Sequence, residues 1–566
     1  VMSAGAYLAI RGRIAAGTVL IFTNLSNSVM QPINELPQGF ANIRAARALI
    51  EKLAGLAEEN ASRAGEGVPA RLERGIELSH VSFGYEKEKP VLRDVSLTLK
   101  AGDGTTSQTP SEWNLLGCFT LNIPTASGEY TVLKNETAKN IHYQMGELTI
   151  GNADSASKAT ALVDLGGGFL RLLSGGASDQ NPTLNVNTST RIISANTTAA
   201  VNLNSASILN VNGTSTLDVG GAFTSSGNAE KRSKINIAQD AKLKVASASL
   251  TNSDIVMAGV FTSEGSVVLD RVSMTLDGSF SAERTKTITL KKGTVVSGGG
   301  LFDMSTVTNI NEGASVDIRA ISTGAGFLVD VAGSLKTSQN TTYNNLTVSG
   351  TLEQTAGDQT VFNRAAGFKA GSAFKTASNY VRIQAGTVDA AYTTLSIGAA
   401  NKSFVVGSEN AKIDIQRGTI LLGKAQAIRD ANGGLVSIST RNDTTKAELR
   451  LNASNDFATI TALKNNLDIF IADGSILRAD FAASDGGLII LHDFVDNSVF
   501  VKNHESIADL STIFEAYKTI DGVETKIDTI YCNNGWLSTT AVPEPAEWAA
   551  IFGAIALAAA LYRRRK

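Results

Sequence analysis

Aliphatic and small polar residues alternate along most of this chain, from about residue 145 to residue 487. Four segments show the pattern clearly: Leu184–Asn187, Ile208–Gly213, Thr216–Gly221 and Leu346–Leu352. Successive side chains of a strand point to opposite faces, so Leu and Val should line one face and Asn, Thr and Asp the other. A glycine after each strand favours a corner, where φ is often positive. The pattern predicts many short β-strands separated by tight turns.

Stacking of these strands in successive coils would bury the Leu and Val face. Leu209 and Leu217 are eight residues apart, as are Val211 and Val219, but this spacing does not persist. Aromatic residues make up only 6% of the chain, which suits a narrow interior filled by aliphatic side chains. Asparagine and serine near the corners are expected to form side-chain ladders between coils.

The fold class is therefore predicted as mainly β, with a right-handed β-solenoid or β-helix at its centre. An N-terminal α-helical membrane segment and a short C-terminal transmembrane helix are expected beside it. The alternatives are an array of β-sandwiches or a low-complexity linker. Regularly placed Leu and Val argue against disorder, because they bury enough apolar area to offset the entropy of ordering.

Both ends of the chain depart from this pattern. Ile14–Met30 is mostly apolar, and Ala41–Ala57 has the spacing of an amphipathic helix. Ile76–Tyr85 and Val91–Lys100 alternate as strands. Beyond residue 487 the pattern predicts a helix at Ser506–Tyr517 and strands at 523–530 and 535–537, which would cap the solenoid.

The order of elements in residues 1–103 resembles the last part of an ABC exporter's membrane domain followed by the first strands of its nucleotide-binding domain. The resemblance implies that Tyr85 corresponds to the aromatic residue that stacks on adenine. A phosphate-binding loop GxxxxGK[ST] should follow Gly102, but Gly104–Trp113 contains no lysine. Tyr85 is therefore interpreted as a nucleotide-binding relic with a structural role.

Three later segments imitate the missing ATPase parts: Arg417–Ala425 a P-loop, Leu173–Gly176 an ABC signature and Leu488–Asp493 a Walker B strand. Ala425 stands where the Mg²⁺-binding hydroxyl should be, so these are interpreted as coincidences. His492–Asp493 and His504–Glu505 could act as acid–base pairs, but surface polar residues are the favoured interpretation. No catalytic residue is assigned, and the chain is predicted not to be an enzyme.

The C-terminal residues form a distinct tail. Val542, Pro543, Glu544 and Pro545 precede the apolar run Ala549–Leu561, and the chain closes in Arg563, Arg564, Arg565 and Lys566. The prolines favour an extended, accessible segment. This order resembles the PEP-CTERM tail of exported bacterial proteins, which implies recognition of residues 542–545 by an exosortase-type sorting enzyme. The four cations would form a basic stop on the cytoplasmic side of a membrane.

Composition excludes several function classes. The net charge is −3, which gives no electrostatic reason to expect nucleic-acid binding. Cys118 and Cys532 are the only cysteines, and four histidines are scattered, so no metal site and no cofactor are predicted.

Six segments are predicted in chain order: an exporter-like membrane helix and connecting helix (1–70), a truncated start of a nucleotide-binding domain (71–103), a junction or N-terminal cap (104–144), the β-solenoid (145–487), a C-terminal capping region (488–541) and the sorting signal with its helix (542–566). The solenoid resembles the passenger β-helices of autotransporter-type surface proteins.

The predicted function is that of an exported structural or adhesive protein, fused to a non-functional ABC exporter fragment. Expected partners are the sorting enzyme, the membrane, and extracellular polysaccharide or neighbouring surface proteins. The expected location is the bacterial cell envelope, with the N-terminal segment favouring the inner membrane. The chain begins at Val1 inside the exporter-like segment without a signal peptide, which suggests a join between two proteins. The alternatives are an ABC transporter-related membrane protein for ATP-driven export, or a polysaccharide-active β-helix enzyme.

Overall fold

A computed structural model of the chain describes residues 2–13, 17–18, 21, 75–83, 92–100, 104–105, 112–124, 126–136, 139–151, 158–174, 181–196, 199–324, 327–384, 394–441, 444–541 and 545–564. Within these ranges, side chains are described except at residues 2, 75–83, 92–100, 104–105, 112–114, 116 and 545–548. The chain divides into two compact units, Val1–Glu73 and Arg74–Lys566.

In the first unit, helix α1 spans Met2–Ile10. The helix ends at a turn in which the backbone N–H of Arg11 donates to the carbonyl of Tyr7 at 3.2 Å, and Gly12 adopts a φ of 67°. Glycine is well suited to this left-handed position. The apolar segment Ile14–Met30 lies almost wholly outside the described residues, and Ala41–Ala57 lies outside them entirely.

The described part of the second unit contains fifty strands and one helix. The first seventeen strands are Gly75–Phe83 (β1), Leu92–Lys100 (β2), Gly104–Thr105 (β3), Glu112–Leu116 (β4), Phe119–Leu121 (β5), Gly128–Lys134 (β6), Asn140–Met145 (β7), Glu147–Ile150 (β8), Ala159–Asp164 (β9), Leu170–Leu172 (β10), Thr183–Val186 (β11), Thr190–Ile193 (β12), Val201–Asn204 (β13), Ile208–Val211 (β14), Thr216–Ser226 (β15), Ser233–Ile237 (β16) and Lys242–Thr251 (β17).

The next seventeen strands are Ser253–Met257 (β18), Val260–Ser263 (β19), Val267–Asp270 (β20), Ser273–Leu276 (β21), Ser279–Ala282 (β22), Thr287–Leu290 (β23), Val295–Met304 (β24), Val307–Ile310 (β25), Ser315–Thr323 (β26), Leu328–Val331 (β27), Ser334–Thr337 (β28), Thr341–Tyr343 (β29), Asn345–Val348 (β30), Thr351–Gln354 (β31), Thr360–Phe362 (β32), Ala366–Phe368 (β33) and Ala373–Thr376 (β34).

The remaining elements are Tyr380–Ile383 (β35), Thr394–Ile397 (β36), Ser403–Val406 (β37), Lys412–Ile415 (β38), Arg417–Leu422 (β39), Ser437–Thr440 (β40), Lys446–Leu451 (β41), Asn455–Leu463 (β42), Leu467–Ile471 (β43), Leu477–Ser484 (β44), Ile489–His492 (β45), Val499–Val501 (β46), Phe514–Ile520 (β47), Val523–Lys526 (β48), Tyr531–Asn533 (β49), Trp536–Ser538 (β50) and the helix Pro545–Arg564 (α2). Strands hold 54% of the residues and helices 8%, so the chain is mainly β as predicted.

The strands from β4 to β47 form a stack of coils, and most coils contribute a strand or part of a strand to each of three parallel sheets. Sheet 1 begins β4–β7–β10–β13 and ends β41–β43–β45–β47. Sheet 2 begins β5–β8–β11–β14 and sheet 3 begins β6–β9–β12–β15. Long strands such as β15 and β17 turn a corner and belong to two sheets. Parallel pairing of successive coils establishes the predicted solenoid, and its handedness stays a prediction.

The coil length varies along the stack. Leu170 pairs with Val201 in sheet 1, a step of 31 residues, whereas Val329 pairs with Leu346, a step of 17. Leu209 and Leu217 lie on consecutive strands of a single coil, in sheets 2 and 3. The eight-residue spacing in the sequence is thus a step between strands within a coil, which explains why it does not persist.

The stack of coils extends beyond residues 145–487 at both ends, into the ranges predicted as a junction (104–144) and a capping region (488–541). The coils begin at Glu112 and continue to Ala516. The predicted helix at Ser506–Tyr517 is wrong, because this range holds two 3₁₀ turns, His504–Ser506 and Leu510–Thr512, followed by β47. Pairing of Phe514 with Ile489 of the preceding coil overrides the helical spacing of the apolar residues.

The interior is formed by aliphatic side chains, as predicted, and also by a phenylalanine column. Phe261, Phe280 and Phe302 stack in sheet 3 with ring centroids 4.8 and 5.0 Å apart. These distances match the 4.7–4.9 Å spacing of paired strands, because equivalent positions of successive coils lie directly over one another. Phe280 and Phe302 are fully buried.

The predicted asparagine ladder is confirmed on the outer face of sheet 2. Asn236 Nδ2 donates to Asn210 Oδ1 at 2.7 Å, and Asn210 Nδ2 donates to Asn185 Oδ1 at 2.8 Å. Asn212 donates to Asn187 at 2.8 Å in a second row at the strand ends. Stacking of the coils thus lets polar side chains form hydrogen bonds in rows on the outer face. It also buries the apolar side chains inside.

Glycines at the corners have two different physical roles. Gly213 has a φ of 57°, the positive value that the sequence pattern predicted. Gly278 and Gly350 lack a positive φ, but a Cβ atom would lie 1.8 Å from the carbonyl oxygen of Gly259 at Gly278 and 2.0 Å from that of Gly333 at Gly350. These glycines are required because the neighbouring coil's backbone passes so close.

Replacement of Gly278 by Ala should destabilise the solenoid by about 1–3 kcal/mol or more, because the obstructing atom is a backbone carbonyl and the coil must shift. Gly367→Ala is the matched control, since a Cβ atom there meets nothing within 4 Å. Urea unfolding of both variants checks this. Equal midpoints for the two variants would contradict the close-approach explanation.

Candidate functional site

The predicted site residues of the tail are only partly described. Val542, Pro543 and Glu544 lie outside the described residues, as do Arg565, Lys566 and Tyr85. Pro545 begins helix α2, and Arg563 and Arg564 form its last turn. Proline is favoured at the first position of a helix and cations near its end, so the sequence explains both bounds. The arginine side chains lie at the predicted end of the apolar helix.

Helix α2 exposes large apolar side chains all along its described length. Phe552, Ile555, Leu557 and Leu561 are each more than half exposed. Among the described residues, no helix is both long enough and apolar enough to cross a membrane. The predicted C-terminal transmembrane helix is therefore corrected: the uncharged apolar run Ala549–Leu561 covers 13 residues, roughly 20 Å at 1.5 Å per residue, against about 30 Å of hydrocarbon.

The P-loop-like segment is a strand of the solenoid. Arg417–Leu422 is β39, and Ile420 and Leu422 are fully buried. Lys424 Nζ donates to the backbone carbonyls of Asn401 at 2.5 Å and Lys402 at 2.9 Å. Its ammonium group therefore binds the neighbouring coil, which is a structural role.

The two histidine–acid neighbours in the sequence are not paired in the structure. Asp493 has a φ of 48° and accepts a hydrogen bond from Thr519 Oγ1 at 2.6 Å. His504 Nδ1 lies 3.1 Å from the carbonyl oxygen of Val501. His492 instead contacts carboxylates from other strands, which adjacency in the sequence did not reveal.

A row of stacked side chains runs along the outer face of sheet 1 in the last coils. His492 stacks on Phe470 with centroids 4.3 Å apart and planes within 8°, and the guanidinium of Arg450 lies 3.8 Å from the Phe470 centroid. Tyr517 continues the row at 6.0 Å from His492. Arg450, Phe470, His492 and Tyr517 are termed the His492 stack. Its ring faces cover one another, so its exposed surface consists mainly of ring edges.

Both ring nitrogens of His492 face carboxylates. Nε2 lies 3.0 Å from Asp468 Oδ1, and Nδ1 lies 2.5 Å from Glu524 Oε1. Burial is the largest effect and lowers the pKa of His492, but the hydrogen bonds and charges of Asp468 and Glu524 together raise it above its ordinary value. Because Glu524 lies on the antiparallel hairpin β47–β48 and Asp468 lies on β43, a protonated His492 links that hairpin to the two preceding coils.

The carboxylates around the His492 stack are paired with cations. Glu448 lies 2.7 Å from Lys446 Nζ and 2.9 Å from Arg450 Nε, and Glu515 lies 2.7 Å from Lys526 Nζ. Burial raises the pKa of Glu448, but its two cationic partners outweigh this and the net pKa is lowered. The hydrogen bond from Lys526 is the main reason that the pKa of Glu515 is lowered. Ionised carboxylates with this pairing bind cations, whereas a general acid needs a raised pKa.

A second polar cluster lies on the outer face of sheet 3, centred on the carboxylate of Asp414. Its Oδ1 atom accepts from Ser439 Oγ and lies 3.1 Å from Lys412 Nζ. Its Oδ2 atom accepts from the Tyr380 hydroxyl at 2.7 Å, and Arg441 Nη1 lies 3.6 Å away. Sequence reasoning missed this cluster, because its members come from β35, β38, β40 and the residue after β40.

Six residues are termed the Asp414 cluster: Tyr380, Arg382, Lys412, Asp414, Ser439 and Arg441. Arg382 and Ser439 occupy the register positions on either side of Asp414 in the neighbouring coils. Arg441 Nη1 donates to the Tyr380 hydroxyl at 2.6 Å. Burial and the hydrogen bond to Asp414 raise the pKa of Tyr380, so its hydroxyl stays protonated and donates to the carboxylate.

Neither cluster is built as a metal centre. Within the described ranges, no group of three or more His, Cys, Asp and Glu side chains is placed to hold a metal ion. Both clusters instead combine cations, carboxylates and hydroxyl groups, which can hold polar or charged groups at the surface.

Protonation of His492 should stabilise the hairpin β47–β48. A pKa raised in the folded state means that the stabilisation is fully present below the unfolded pKa of about 6.5 and is lost as the pH rises through the folded value. We expect amide hydrogen exchange in residues 514–526 to be slower at pH 5.5 than at pH 8.5 after correction for the intrinsic rates. His492→Gln should remove this difference.

His504→Gln is the control for that prediction. In the described part of the chain, the ring of His504 contacts a backbone carbonyl oxygen and no carboxylate. A pH-dependent protection that persists in His492→Gln would contradict the role given to the imidazolium.

Comparison with known proteins gives a local similarity. No family model and no solved structure matches the chain. An uncharacterized ABC transporter ATP-binding protein of Bacillus subtilis, YwjA, is 29% identical over 118 residues, 20% of each chain. The mitochondrial iron-sulfur clusters transporter atm1 of Neurospora crassa is 32% identical over 105 residues, 18% of this chain and 15% of that protein. A probable multidrug resistance ABC transporter ATP-binding/permease protein of Bacillus subtilis, YheH, is 31% identical over 100 residues.

The chain thus spans about a fifth or less of the length of the curated relatives that it matches. The similarity agrees in kind and in length with the resemblance noted for residues 1–103. The chain contains a segment similar to ABC transporter ATP-binding proteins.

Proposed function

We propose that this chain is an exported structural or adhesive protein of the bacterial cell envelope or matrix, in which a β-solenoid presents rows of polar side chains. The observation that carries the proposal is the stack of coils from Glu112 to Ala516, with its aliphatic interior and ordered polar outer faces. A rigid scaffold of this kind repeats a chemical group along one direction, which suits weak, multiple binding to a polymer.

The C-terminal tail supplies the proposed destination. Val542–Pro545 would be recognised by an exosortase-type enzyme, and the exposed apolar helix α2 would stay with the membrane until processing. The exposure of Phe552, Ile555 and Leu557 supports a partner for this helix, since exposed apolar surface of this extent marks an interaction site. The exporter-like segment is proposed to be a fragment without transport activity.

A tagged chain that lacks residues 542–566 should lose surface delivery, because the proposed recognition motif and helix are both removed. Protease accessibility of the tag on intact cells measures this. A second variant, Pro543→Ala with Pro545→Ala, keeps the helix and changes only the motif. Unchanged delivery of both variants would overturn the sorting role and point to Ile14–Met30 as the anchor.

The second candidate is an ABC transporter-related membrane protein that takes part in ATP-driven export. The local similarity to three ABC transporter proteins favours it. The absence of a lysine from Gly104–Trp113 counts against nucleotide hydrolysis, because the P-loop lysine binds the β- and γ-phosphates.

We expect the purified full chain not to be retained on ATP-agarose in the presence of Mg²⁺. Retention that Tyr85→Ala abolishes would establish the transport-related candidate instead. Lys424→Ala is the control, because Lys424 is bound to backbone carbonyls and should not affect retention.

A further inference from the structure

The Asp414 cluster has an excess of positive charge at the surface. Arg382, Lys412 and Arg441 carry three positive charges and Asp414 one negative charge, a sum of +2 within the cluster. The side chain of Asp414 is only 6% exposed, whereas those of Arg441 and Lys412 are 30% and 45% exposed. The negative charge therefore lies beneath and the positive charges lie towards solvent.

Asp414 fixes the positions of its neighbours, because each of its two carboxylate oxygens contacts two of their side chains. Ser439 and Lys412 contact Oδ1, while Tyr380 and Arg441 contact Oδ2. Tyr380 also accepts from Arg441, so the guanidinium, the phenol and the carboxylate fix one another. A cationic group fixed in this way loses little side-chain entropy when a ligand binds.

The cluster lies on the strands β35, β38 and β40, which belong to three successive coils and are paired in parallel. Successive coils repeat at about 4.8 Å, so the three strands span roughly 10 Å, and the cations of Lys412 and Arg441 converge on Asp414 of the middle strand at 3.1 and 3.6 Å. Both cations are partly exposed on one outer face, so a carboxylate group of an extended polymer can contact them from the solvent side.

We propose that the Asp414 cluster is a binding site for a carboxylate-bearing polysaccharide. This deepens the proposed function, on which it rests, by naming the chemical class of the adhesive ligand. Arg441 and Lys412 bind the carboxylates, Tyr380 and Ser439 provide polar surroundings, and Asp414 is a positioning residue. Guanidinium groups suit this role because their planar donors match a carboxylate.

The test uses the purified full chain and polygalacturonate, with neutral dextran as the uncharged polymer, at low ionic strength. Polygalacturonate should bind and dextran should not, and added NaCl should weaken binding because the charges are exposed. Arg441→Gln should weaken binding about tenfold, and Lys412→Gln by several-fold, as expected for loss of one charge-assisted hydrogen bond.

Lys336→Gln is the matched control. Lys336 is 38% exposed and lies 3.0 Å from Asp317, which matches Lys412, 45% exposed and 3.1 Å from Asp414. Lys336 belongs to sheet 2 and lies outside the Asp414 cluster. Its replacement removes the same charge and should leave binding within twofold of the parent. Equal losses in Lys336→Gln and Lys412→Gln would mean that only the overall charge matters, and would overturn the proposal.

Asp414→Asn tests the positioning role. It removes the negative charge, so a purely electrostatic site would bind more tightly, whereas loss of orientation of Tyr380 and Arg441 should weaken binding. Circular dichroism and urea unfolding establish that each variant is folded. Sulfated dextran is a further anionic polymer for comparison. Binding of sulfated dextran without binding of polygalacturonate, or no binding of either anionic polymer, overturns the proposal. These outcomes do not bear on surface delivery, which the localisation experiment measures separately.

Discussion

Backbone pairing between successive coils is the interaction on which the rest of this structure depends. Parallel strands about 4.8 Å apart require each position of one coil to lie over an equivalent position of the next. Inside the coil this produces the column of Phe261, Phe280 and Phe302. It also limits the space at the corners, where Gly278 faces the carbonyl oxygen of Gly259.

The same pairing organises the outer surface into rows. Asparagine side chains that could not reach one another within a coil become neighbours in the ladder Asn185–Asn210–Asn236. The His492 stack and the Asp414 cluster arise in the same way, from residues of successive coils that share a face. Some of the ion pairs in these rows join neighbouring coils, as Arg441 and Asp414 do, and others lie within one strand, as Lys412 and Asp414 do. This repeat supports the proposed binding of a polymer.

The two termini add information of a different kind. The chain is similar to ABC transporter proteins over about a fifth of its length. In the exporter-like segment, the alternation predicted two strands, and β1 and β2 pair antiparallel. The tail ends in a helix whose apolar side chains are exposed. Neither terminus specifies the chemistry of the solenoid, which has to be sought on its outer faces. The proposed function therefore joins a destination inferred from the tail with a surface inferred from the coils.

The sequence by itself determined the local structure of this protein. Alternation of Leu and Val with small polar residues predicted the strands, and the asparagine ladder followed from stacking them. The apolar run Ala549–Leu561 predicted the C-terminal helix, which begins at Pro545, a residue expected in the extended segment before it. These features depend on residues close together in the chain, or on a pattern common to all coils. The helix predicted at Ser506–Tyr517 was wrong because pairing with the preceding coil outweighed local spacing.

Only the tertiary structure decided which outer residues meet. The number of residues per coil varies from 17 to 31 between the two steps compared above, so no fixed period in the sequence places Arg441 beside Tyr380 or Glu524 beside His492. The lengths of the corner segments set the register between successive coils, and this register determines which outer side chains are neighbours. For the same reason the true partners of His492 are distant acids and not the adjacent Asp493: Asp493 follows the end of β45 with a φ of 48°, whereas Asp468 of the neighbouring coil shares a face with His492.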